Sequence, residues 1–150
     1  MNITEITAPA YVIDEQKLLN NLIILSDIAK GTGAKILLAQ KAFSAYSTYP
    51  LIAENLQGAT ASGLYEARLA YEEMIKPFEG KKKLENHVFE PAFKDEEFPL
   101  VCEVADHIVF NSIAQLEHHR NVWEKAAAKK LLSVGLRIDP EISKQEGHEI

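Results

Sequence analysis

KILLAQKAF, Lys35 to Phe43, is an apolar run of strand length that closes on a charged residue. Lys35 to Ala39 read as a buried strand, and Lys41 stands just past its carboxyl end. In α/β folds that edge opens into the crevice formed by the strand-to-helix loops, and the chemistry collects there. Lys41 is therefore the first residue to explain. A lysine works as a Schiff-base nucleophile only when its amine is neutral part of the time, which desolvation or a neighbouring cation brings about. The preceding ILLA is expected to supply the apolar wall. A lysine that merely reaches water from a strand end has the same local sequence, so the run alone leaves both readings open.

On the amino-terminal side, Ala10 to Ile13 form a β-favouring run, and Asp14 is placed to cap a helix whose apolar face is Leu18, Leu19, Leu22, Ile23 and Leu25. Gly31 and Gly33 end that helix. Beyond Lys41, Thr48 and Pro50 open a helix to about Leu56, Gly58 to Ala61 read as a short strand, and Ser62 is placed to cap the next helix. Pro77 to Asn86, PFEGKKKLEN, has the composition of a solvated loop. His87 to Phe89 then read as a strand, Asp95 to Ala105 as a helix with Pro99 in its first turns, and His107 to Phe110 as a buried strand. Ser112 with Gln115 predicts a capping box for one long helix through Lys130, and Leu131 to Ile138 form the last strand. Alternation of this kind belongs to βαβ units around a parallel sheet. Periodicity leaves two arrangements open, a doubly wound open sheet or part of a barrel, since a whole eight-stranded barrel takes about 250 residues.

Composition excludes several function classes. The chain has 150 residues and a formal net charge of −6, and its basic clusters are the short groups Lys81–Lys83 and Lys129–Lys130. No nucleic-acid footprint is present. A single cysteine, Cys102, excludes an internal disulfide framework, and it lies among Leu100, Val101 and Val104 as a small buried hydrophobe. With neither a basic leader nor a membrane-length apolar run, the expectation is a soluble cytoplasmic protein with no membrane partner. No HExxH or paired-cysteine spacing occurs, and the adjacent His118 and His119 are expected on a solvated helix face, so no metal is assigned. Gly58 to Gly63, GATASG, has the glycine spacing of a phosphate loop but continues with Leu64 and Tyr65 where a nucleotide-triphosphate loop needs Lys and Ser or Thr. Ser62 reads either as a plain helix cap or as an anion donor at a helix start. Arg137, in an otherwise apolar strand, needs a specific partner, and a structural ion pair and a functional role remain equally open.

Six stretches carry a resemblance: TAPAYVID (Thr7–Asp14), ILLAQKAF (Ile36–Phe43), GATASGLYEARLAYEE (Gly58–Glu73), HVFEPAFKDEEF (His87–Phe98), DHIVFNSIAQLE (Asp106–Glu117) and SVGLRIDPEIS (Ser133–Ser143). In this order they resemble carboxynorspermidine/carboxyspermidine decarboxylases, pyridoxal-phosphate enzymes of the alanine racemase and ornithine decarboxylase fold type. The resemblance implies an α/β fold of alternating strand-helix units, a partial (β/α)8 barrel of the alanine racemase-like type. Residues 1–150 would be its amino-terminal part, with the remaining half-barrel and a β-rich domain outside the chain. It implies that Lys41 holds pyridoxal 5'-phosphate as a Schiff base, and that Ser62 and Arg137 line the cofactor's side of the barrel, Arg137 near the ring. The ring-stacking histidine, the glycine-rich phosphate loop and the acid facing the pyridine nitrogen are expected beyond Ile150. The implied activity is decarboxylation in polyamine biosynthesis, with a cationic polyamine-like substrate that suits an acidic protein, and assembly as a homodimer. Two departures stand out: Gln40 and Ala42 flank the lysine where the family usually has Leu and Gly, and the Pro77–Asn86 loop is longer than the family's turn. Other expectations from the residues are a non-catalytic fragment that folds by associating with another chain, because a half-barrel leaves open sheet edges, and a small pyridoxal-phosphate-binding protein of the same barrel type.

Overall fold

In a computed structural model, which describes residues 3–140, strands and helices alternate along the chain. The elements are α1 (Glu15–Thr32), β1 (Leu38–Ala39), α2 (Tyr49–Asn55), β2 (Gly58–Ala61), α3 (Leu64–Ala70), β3 (Glu85–Phe89), α4 (Phe98–Val104), β4 (His107–Phe110), α5 (Ile113–His118), α6 (Arg120–Ala127) and β5 (Ser133–Leu136). A π-helical turn at Tyr71–Ile75 and a 3-10 turn at Lys76–Phe78 prolong α3. Predicted caps hold at two helices. Asp14 accepts a hydrogen bond from the Lys17 N–H and Gly33, at φ 73°, closes the far end of α1. Ser112 accepts from the Gln115 N–H, and Gln115 Oε1 reaches back to the Asn111 N–H.

The five strands are all parallel and lie in the order β1-β2-β3-β4-β5. Each strand pairs with its neighbour in sequence, so the winding never reverses. A doubly wound sheet needs a reversal, with helices on both faces. The sheet is therefore an arc of a singly wound (β/α) barrel. One face carries Ala59, Ala61, Val88, Ile108 and Phe110, all buried, and it packs under the helices. Beneath α3 and α4 the core is Leu64, Ala67, Phe93, Phe98, Val101 and Cys102; beneath α1 and α2 it is Leu22, Tyr49, Ile52, Leu56 and Met74. Each large side chain buried in this way contributes about 1.5–3 kcal/mol. The opposite face, with Thr60, His87, Phe89, His107 and Val109, is only half-buried.

Several local expectations are corrected. Ala10 to Ile13 form no strand; Tyr11, Val12 and Ile13 lie exposed, with no strand among the described residues beside them. Of the strand expected over Lys35–Ala39, Leu38–Ala39 form β1, while the Gln57 N–H donates to the Ile36 carbonyl at 3.0 Å and the Gln40 N–H donates to the Thr60 carbonyl at 3.3 Å on either side of it. Ile23 and Leu25, expected on the apolar face of α1, are exposed. The loop after Pro77 ends at Lys83, because Leu84 is buried and Glu85 and Asn86, also buried, open β3. Asn86 Nδ2 donates to the carbonyls of Ala67 (2.8 Å) and Val104 (3.1 Å), which ties α3 and α4 to the strand. The long helix breaks at His119, which is buried against Phe98 with 4.2 Å between ring centroids. His118 remains exposed, and Asp95 Oδ1 lies 2.7 Å from its Nε2 and 3.8 Å from His119 Nδ1.

Candidate functional site

Lys41, Ser62 and Arg137 all follow the carboxyl ends of strands, β1, β2 and β5 respectively. Lys41 and Ser62 belong to adjacent strands, whereas Arg137 lies at the other edge of the sheet.

Gln40 places Lys41. Its side chain is fully buried, and Nε2 donates to the Thr60 carbonyl (3.2 Å) and the Glu66 carbonyl (3.0 Å). Its Oε1 accepts from the Tyr49 hydroxyl at 3.1 Å. The strand's alternation sends Ile36, Leu38 and Gln40 toward the helices and turns Ala39 and Lys41 the other way. The Ala42 and Phe43 N–H groups then both donate to the Ala39 carbonyl, closing a turn around the lysine. Lys41 is exposed, and its ammonium has no hydrogen-bond or ion-pair partner among the described residues. The expected apolar wall is thus reduced to Leu37 and Ala39, because Ile36 and Leu38 pack on the far side of the sheet. The polar Gln40 offered no sign in the sequence that it anchors this turn.

Ser62 is exposed and does not cap α3, whose cap position is Gly63. Its N–H donates to Glu66 Oε2 at 2.6 Å, so that donor is already used, while its hydroxyl makes no hydrogen bond among the described residues. The phosphate-loop spacing is also incidental. Gly58 opens β2 and Gly63 lies beyond its other end, so the two glycines do not share a cradle. Arg137 has the specific partner that its place in an apolar strand called for. Its guanidinium pairs with Asp139 Oδ2 at 3.5 Å and sits over the Phe89 ring, 5.3 Å from the centroid, while its N–H continues the ladder to the Phe110 carbonyl.

Sequence reasoning passed over Glu90, which follows β3 on the same edge. Its Oε2 is buried without a partner among the described residues, and its carboxyl faces Gly63. Burial and the neighbouring Glu97 charge push its pKa up against the pull of Lys94. Cys102 is buried as expected, and burial raises its thiol to about 11, which keeps it protonated at neutral pH. A cavity of about 510 Å³ between α4 and α6, lined by Pro99, Cys102, Val122, Lys125 and Lys129 among others, lies in the helix layer and touches none of the three site residues.

No family model matches the chain. It is 37% identical over 139 residues to the carboxynorspermidine/carboxyspermidine decarboxylase of Campylobacter jejuni, an alignment that covers 93% of this chain and 33% of that protein. It is 34% identical to the carboxyaminopropylagmatine decarboxylase of Synechocystis sp., covering 94% of this chain and 33% of that one. Its fold superposes with a TM-score of 0.80, at 35% identity, on the crystal structure of Campylobacter jejuni carboxynorspermidine decarboxylase complexed with norspermidine, covering 95% of this chain and 35% of the other. The chain therefore spans about a third of the length of the relatives it matches. The resemblance carried by the six stretches is borne out, and so is the α/β fold of strand-helix units that it implied.

Proposed function

We propose that the chain is the cofactor-anchoring portion of a pyridoxal-phosphate-dependent decarboxylase acting on a carboxylated polyamine, with Lys41 as the anchoring residue. The observation that carries this reading is the position of Lys41: a free, exposed ammonium on a fixed turn at the carboxyl edge of β1, in a chain similar to such decarboxylases over 93% of its length. The residues fit the group. The Lys41 amine is open to a carbonyl carbon, the Ser62 hydroxyl is uncommitted, and Arg137 presents a cation beside the Phe89 ring. Pyridoxal phosphate, when bound, supplies the electron sink that takes up the electron pair left by departing carbon dioxide.

The protein's own share is orientation. Gln40 fixes the backbone from which Lys41 extends, and Arg137 keeps positive charge on the inner face of β5. The relatives' names share one chemistry, a carboxylate on an aminoalkyl chain, and that is the substrate class proposed for the enzyme of which this chain forms a part.

Incubation with pyridoxal phosphate, reduction with borohydride and peptide mapping test the reading. A reduced adduct concentrated at Lys41, and absent from a folded Lys41→Ala variant, is expected. Adducts spread evenly over the surface lysines, or none at all, would sink it. Release of carbon dioxide from carboxynorspermidine then separates a complete catalyst from a cofactor carrier.

A further inference from the structure

The inner face of the sheet holds a second cluster, away from the carboxyl edge. Glu85 and His87 lie two residues apart on β3 and so share a face, and the parallel register sets His107 of β4 directly beside His87. The two imidazoles stack with 4.1 Å between centroids and 28° between planes, which brings both rings to one carboxylate. Glu85 Oε2 lies 3.1 Å from His87 Nε2 and 3.6 Å from His107 Nε2. The other oxygen, Oε1, is held by Lys35 Nζ at 2.5 Å.

We propose that Glu85, His87 and His107 form a binding site for a divalent transition-metal ion of the zinc kind, with Glu85 Oε2 and the two histidine Nε2 atoms as ligands. Zinc binds nitrogen and carboxylate oxygen at about 2.0–2.1 Å, and a tetrahedral angle then sets neighbouring ligand atoms about 3.3–3.4 Å apart. The two oxygen-nitrogen separations bracket that spacing. One donor atom from each residue lies within 4.8 Å of those of the other two, a spacing that rotation of the rings closes onto one centre. Two histidines and a carboxylate are a donor set that zinc uses with a fourth, open position.

The surroundings favour occupancy. The Glu85 side chain is 7% exposed and cannot rotate freely, because Lys35 grips its outer oxygen; a partner behind a ligating carboxylate orients it in this way. Both histidine rings keep about a third of their surface open, 31% and 34%, which leaves an entry path. The site joins β3 to β4 and uses none of the residues assigned to the cofactor.

The test is titration of the untagged chain with Zn²⁺ by calorimetry and with Co²⁺ by visible absorption, which reports a tetrahedral centre. One ion per chain is expected, together with a rise in melting temperature on adding zinc. Loss of a partner behind a ligand already weakens metal binding by about 10–100-fold, so His87→Ala and His107→Ala should each weaken it by at least about tenfold. His118→Ala, in the separate Asp95, His118 and His119 cluster, should leave the affinity unchanged. Should an alanine variant fail to fold, His107→Gln, which keeps the side chain's bulk and hydrogen bonding, gives the deciding measurement. Absence of saturable binding overturns the proposal, as does binding that survives loss of both inner histidines or disappears with His118.

Discussion

At the scale of single residues, the carboxyl edge is shaped by polar groups that have specific partners and by one that lacks a partner. Gln40 satisfies each of its side-chain polar atoms inside the fold, and Lys41, turned away from the helices, is left exposed. Glu90 is the opposite case, a carboxylate with one oxygen buried and, among the described residues, unpaired. Burial, then the charge of Glu97, raises its pKa in the folded chain, so the folded state holds the proton to higher pH than the unfolded state does. The sign follows: below about pH 4.3, the usual glutamate value, both states are protonated, and stability is lost as pH rises from there through the raised folded value. Glu90→Gln should therefore be more stable than the parent at pH 7, by on the order of 1 kcal/mol, with the gap closing below about pH 4. Urea denaturation at the two pH values checks this, and a variant no more stable at pH 7 would contradict it.

At the scale of elements, residues whose composition reads as loop or solvent turn out to hold the units together. Lys82, from the basic run, donates to the carbonyls of Ala53, Glu54 and Leu56 and so closes the carboxyl end of α2. Lys130 does the same for α4 through the carbonyls of Glu103 and Ala105. At Gly58 the backbone of β2 lies close against that of β3 at Glu85. Gly58 has φ 140°, and an added Cβ would lie 1.9 Å from the Glu85 carbonyl oxygen. Gly63 is extended, and its Cβ would make only ordinary contact with Glu90 at 3.5 Å. Gly58→Ala should cost about 3 kcal/mol or more, by overpacking against backbone that cannot move aside, while Gly63→Ala costs far less. Denaturant midpoints of the two variants give the comparison, and equal losses would contradict this account of GATASG.

At the scale of the whole molecule, a five-stranded arc has two ends and, among the described residues, an inner face that is only half-buried. Leu131 and Ile138, each 84% exposed, flank the edge strand β5, and Tyr11 and Val12 are exposed before α1. Open edges and uncovered apolar residues favour pairing with another chain, so the apparent mass in sedimentation should rise with concentration across the micromolar range. A mass that stays monomeric at every concentration would count against association. No helix among the described residues is long and apolar enough to cross a membrane. Much of this was legible in the sequence. The strand-helix rhythm, the caps Asp14, Gly33 and Ser112, the buried Cys102 and the lysine past the first strand all depend on neighbours a few residues away, and local chemistry records them. The choice between an open doubly wound sheet and a barrel arc depends on which strands lie side by side, and only the tertiary structure decided it. The same holds for Gln40, whose partners come from another strand and from helices, for Glu90, buried by what packs around it, and for the Glu85, His87 and His107 cluster, which joins two strands. A buried polar side chain and a solvated one look alike in sequence, because what separates them is a hydrogen-bond partner brought across space by the fold.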